Sequence, residues 1–79
     1  MTSLRVTYDA KANAAYIYLN QDDTEARVAW MYPGDPVAVD GMINLDFDES
    51  GRLIGVEVLD ARSKLPAHLL DSAERIDRC

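Results

Sequence analysis

The sequence predicts one small α+β domain over residues 1–79: a four- to five-stranded antiparallel sheet, two β-hairpins plus a middle strand, with one short C-terminal helix. Three observations predict it. Two stretches with period-two alternation each fold back through a short polar turn. A third alternating stretch lies between them. The C-terminal stretch then changes to spacings of three and four.

The first hairpin opens with "LRVTYD", where Leu4, Val6 and Tyr8 alternate with Arg5, Thr7 and Asp9. Asn13 can take the left-handed conformation that the tight turn in "AKAN" needs. "AAYIYLN" returns, with Ala15, Ile17 and Leu19 on one face and Tyr16 and Tyr18 on the other. "ARVAWMY" is the middle strand, placing Val28, Trp30 and Tyr32 on one side. "PGDP" is expected to end it, because proline lacks the donor a ladder uses. A short extended piece over residues 37–41 is left open. In "MINLDF", Ile43, Leu45 and Phe47 alternate with Asn44 and Asp46. "LIGVEVLD" sets Ile54, Val56 and Val58 against Leu53, Gly55, Glu57 and Leu59. The tail, "SKLPAHLLDSAERI", carries the helical stripe Leu65, Leu69, Ala73 and Ile76. Pro66 suits its first turn, and Arg75 and Arg78 suit its negative C-terminal end.

"DFDESGRLIGVE" matches a calcium-loop pattern: Asp46, Asp48, Ser50, Gly51 and Glu57 fall at the ligand and glycine positions. Such a loop is flanked by helices, whereas both flanks here have strand periodicity. In a hairpin turning at Asp48–Arg52, Glu57 stands more than about 10 Å from Asp48, too far to share an ion. The stretch is therefore a turn, with Asp48 accepting backbone N–H bonds and Gly51 supplying a positive φ.

Composition narrows the function. A chain of 79 residues has a thin core, which favours support from a partner subunit. A net charge of −6 opposes direct binding of nucleic acid or anionic membrane and favours a basic protein partner. The lone Cys79 cannot staple the fold, and neither a signal h-region nor a membrane span is present, so a cytoplasmic location is expected.

"YDAKANAAYIYL", "YPGD" and "INLDFDESGRLIGVEVLDA" followed by "LP" together resemble DUF2283, a family of short bacterial proteins of unknown function. The resemblance implies a small antiparallel sheet with a C-terminal helix and no established activity. It also implies genes that sometimes lie beside another small gene, in arrangements that look like toxin–antitoxin pairs. It carries over no catalytic residue.

Candidate sites are few. His68 has no partner at ligand spacing, and no nucleophile elbow or phosphate loop occurs. Asp46 and Glu57 can share one side of their hairpin, as an acid–base pair or an exposed polar face. Tyr16, Tyr18, Trp30 and Tyr32 are expected on one sheet face, forming either cover for the sheet or an association surface. Asp22, Asp23 and Glu25 cluster on one loop as an acidic contact. No catalytic, metal or cofactor residue is assigned. The reading is a non-catalytic protein-binding or regulatory module, antitoxin-like and homodimeric. The alternative is a small-molecule-binding protein or an enzyme whose site is shared between subunits.

Overall fold

Backbone alternation places six strands and two short helices in a computed structural model that describes residues 4–19, 28–34 and 42–77. The strands are β1 (Arg5–Asp9), β2 (Ala14–Tyr18), β3 (Trp30–Gly34), β4 (Ile43–Phe47) and β5 (Leu53–Leu59). Helices α1 (Ala61–Lys64) and α2 (Ala67–Ser72) follow, and β6 (Glu74–Arg75) ends the series. One sheet contains them in the order β3-β4-β5-β2-β1-β6. All pairings are antiparallel except β1 with β6. The expected α+β sheet is present, widened by the two-residue β6.

Both hairpin turns form for the reasons legible in their residues. Asn13 has φ 55° and Gly51 has φ 83°, the left-handed values that asparagine and glycine tolerate best. The Asp48 carboxylate accepts the N–H groups of Ser50 at 2.9 Å and Arg52 at 3.0 Å, and its carbonyl accepts that of Gly51 at 3.0 Å. Glu57 stands opposite Asn44, four residues back from Asp48 along β4. The calcium-like pattern is thus a hairpin whose twelfth position has been carried roughly 13 Å up the strand.

The helical stripe is divided in two. Leu65 is extended (φ −108°, ψ 148°), as the residue before a proline prefers, so α1 stops there and α2 begins after Pro66. Ala73 is extended too, and Arg75, expected at a helix C-terminus, lies instead in β6. Leu70 rather than Leu69 is the buried residue of α2. The core comprises Tyr8, Ala15, Val58, Ala61 and Leu70, with Ile43, Val56, Leu65 and Ala73 packed around it. Helices therefore cover the β1, β2 and β5 part of one sheet face.

"PGDP" does not end the middle strand, which runs on through Pro33 and Gly34. The ladder explains why. Leu59 N–H donates to the Met42 carbonyl at 3.0 Å, and Leu19 N–H to that of Ile54 at 2.9 Å. By alternation, Ile43, Leu45 and Phe47 turn their backbone groups toward β3. Their partners Gly34, Tyr32 and Trp30 face β4, while Met31 and Pro33 face the open edge. Pro33 thus lacks its N–H on the side where no strand pairs with β3 among the described residues. Residues 37–41 lie outside the described residues.

Candidate functional site

Register decides which side chains share a face. One row across the sheet reads Tyr32, Leu45, Val56, Ile17 and Val6; its neighbour reads Gly34, Ile43, Val58, Ala15 and Tyr8. This is the apolar, helix-bearing side. The opposite side carries Asn44, Glu57, Tyr16 and Thr7 in one row, and Met31, Asp46, Gly55, Tyr18 and Arg5 in the next. The four aromatics expected on one face are therefore split. Tyr16 and Tyr18 lie on the polar face, and Trp30 and Tyr32 on the apolar one. Alternation within a strand fixes relative faces there, but relating β2 to β3 requires the register through β5 and β4.

On the polar face Tyr16 lies across Gly55, where a Cβ would overlap its ring and hydroxyl. Its hydroxyl donates to Asp46 Oδ2 at 2.7 Å, spanning β2, β5 and β4. Burial, reinforced by that bond and by the negative charges of Asp46 and Glu57, raises the Tyr16 pKa well above the ordinary tyrosine value. The phenol is a fixed hydrogen-bond donor at neutral pH. Tyr18 meets Tyr16 edge to face at 4.6 Å, and the Arg5 guanidinium lies 4.8 Å from the Tyr18 ring centre. Asn44 Nδ2 donates to Glu57 Oε1 at 3.0 Å; its buried Oδ1 has no partner among the described residues. Asp46 and Glu57 do share a face, each bonded to a different neighbour. That is the geometry of a bonded polar surface.

On the apolar side, no β3 residue belongs to the core that α1 and α2 close or packs against it among the described residues. Trp30 is 58% exposed and Tyr32 64%, with Val28 just before them at 50%. Large apolar groups this exposed and this close together mark a contact surface more often than isolated ones do. His68 is exposed on α2. Asp22, Asp23 and Glu25 lie outside the described residues, as do Arg78 and Cys79.

Sequence reasoning missed a third place. Between α2 and the β1–β6 edge lies a cleft of about 850 Å³, lined by Tyr8, Arg62, Leu70, Asp71, Ala73 and Arg75 among others. Asn13 helps to build it. Its carbonyl and side-chain oxygens accept the N–H groups of Ala61 and Arg62, and its amide donates to Asp60, setting the start of α1. The only signal in the sequence was the arginine following "LDA". Its meaning depends on β6 returning beside β1, which no local pattern announces.

Neither the polar face nor the exposed strip gathers three metal-ligating side chains among the described residues. No helix there is long and apolar enough to cross a membrane. The architecture is that of a small, mostly β protein with one helix-covered sheet face. The chain belongs to DUF2283, a family described as protein of unknown function, whose model matches residues 5–62. That span runs from β1 to Arg62 in α1, leaving α2 and β6 outside it. Comparison with curated proteins and with solved structures gives no match.

Proposed function

We propose that the protein is a non-catalytic protein-binding module that forms a homodimer and regulates a basic partner, in the manner of an antitoxin. The observation that carries the reading is the bare apolar side of β3, with Trp30 and Tyr32 more than half exposed on an edge strand. Aromatic residues are enriched at the cores of protein interfaces, and a small domain tolerates little unpartnered apolar area. Pro33 also blunts the edge by removing an outward donor, so contact through the side chains is favoured over strand addition. The net charge of −6 supports a basic partner, with Asp22, Asp23 and Glu25 as its first contacts.

Capture from the source cell with wild-type and Trp30→Ala/Tyr32→Ala baits tests the reading. Wild type should retain a protein that the double variant loses. Its association should slow as salt rises past about 0.15 M, where the Debye length is about 8 Å. Deleting the gene should harm the cell only while a neighbouring small gene is intact. If both baits capture nothing while the purified protein turns over a small molecule, the reading is wrong.

A further inference from the structure

We infer that the cleft between α2 and the β1–β6 edge binds a small organic monocarboxylate, with Arg62 as the residue that reads the carboxylate. Arg62 Nη1 is held from two sides, donating to Tyr8 Oη at 3.2 Å and to the Ala10 carbonyl at 3.4 Å. These bonds fix the guanidinium but leave its other edge, Nε with Nη2, without a partner among the described residues. That edge is the planar fork which grips a carboxylate through two parallel bonds. The same molecule shows the preference twice. Arg5 closes this edge on Glu74 at 3.0 and 3.2 Å, and Arg75 closes it on Asp77 at 2.7 and 2.8 Å. In Arg62 the same edge has no such carboxylate among the described residues, and Arg62 lines the cleft.

The rest of the lining sets the class of ligand. Leu70 and Ala73 offer an apolar wall, and the Tyr8 ring lies below the Arg75 guanidinium at 5.6 Å. In a lining that is otherwise polar or charged, a small apolar or aromatic body has the side formed by Ala67, Leu70 and Ala73 to lie against. Charge limits the head group. Arg62 and Arg75 contribute two positive charges, and Asp71 and Asp77 two negative ones. These charges cancel, with Arg75 held by Asp77, so a monoanion on the Arg62 fork leaves the cleft at −1, whereas a phosphate dianion would leave it at −2 and face Asp71 more unfavourably. The cleft lies at the opposite edge of the sheet from β3, and this inference is independent of the protein-contact reading.

Benzoate and its uncharged isostere benzamide are suitable probes, titrated into the ¹⁵N-labelled full chain and followed by NMR. Benzoate should saturate with a dissociation constant of about 5 mM or below, the strength expected of one charge-assisted fork in an open cleft. The Arg62 Nε–H signal and the amides of Tyr8, Leu70 and Ala73 should shift, and benzamide should leave them in place. Arg62→Lys keeps the charge but loses the fork, and should weaken benzoate at least tenfold while signals in β3 to β5 stay unchanged. Asp71→Asn leaves the fork intact and should tighten binding several-fold. Equal binding of benzamide overturns the assignment, as does undiminished binding by Arg62→Lys or no response to benzoate at 20 mM. If Arg62→Lys fails to fold, Asp71→Asn decides: benzoate bound no more tightly than by wild type overturns it.

Discussion

At the β1–β2–β5 end of the sheet, Tyr8, Ala15 and Val58 lie beneath Ala61 and Leu70, and each is less than a tenth exposed. At the β3 end, Tyr32 projects from the same side in the row next to Tyr8 and Ala15, yet is 64% exposed. Both ends have strand periodicity and large apolar side chains. The difference is the cover. Asn13 and Asp60 anchor α1 over the first hairpin, and Pro66 starts α2 close to its end, and the core they close takes in no residue of β3 among the described residues. Stability should therefore reside in the covered half, and contact with other protein chains in the bare half.

Substitutions in each half test this contrast. The largest effect is expected from Leu70→Ala, which strips the cover from the core. A loss of about 2–3 kcal/mol, lowering Tm by roughly 10–20 °C in a thermal melt, is expected. A loss no larger than that of an exposed residue would remove the distinction between the halves.

Gly55→Val comes next and acts on the polar face. Its side chain would overlap Tyr16, forcing the ring off the sheet and breaking the bond to Asp46. A cost of about 1–3 kcal/mol is expected in urea denaturation. Combining it with Tyr16→Ala should cost less than the sum of the two, because the smaller residue removes the overlap.

Tyr16→Phe deletes only the hydroxyl and should cost about 1 kcal/mol near neutral pH. It also carries a signature in pH. The folded-state pKa of Tyr16 is raised, so the associated stability is complete below the unfolded value near 10 and falls as pH rises above it. The wild-type urea midpoint should decline more steeply than that of Tyr16→Phe above about pH 10. Parallel declines would show that Tyr16 does not hold its proton in the fold.

How much of this was legible in sequence depends on the range of the interaction. Asn13, Asp48 and Gly51 were readable because a turn is made by residues a few positions apart. Leu45 and Val56 were placed on the apolar side of their hairpin by alternation alone. Pro33 misled because its meaning depends on which way its absent N–H points, and that is set by β4 and β5. Trp30 and Tyr32 were assigned to the face of Tyr16 for a similar reason: three strand pairings separate them. The split helix lay closer to reach, since Leu65 precedes a proline, but the stripe of Leu65, Leu69, Ala73 and Ile76 hid it. The cleft around Arg62 depends on β6 returning parallel to β1, and the residues before that return carry no mark of it.

The smallest effect on folding is expected at the exposed aromatic strip of β3. Trp30→Ala should change monomer stability by no more than about 0.5 kcal/mol, because the ring is mostly in solvent. Its effect should fall on assembly. Sedimentation equilibrium of wild type and Trp30→Ala at tens of micromolar tests this most directly. Wild type should be a dimer, and the variant a folded monomer or a dimer weakened at least tenfold. A wild-type monomer, or a dimer indifferent to Trp30→Ala, would contradict it.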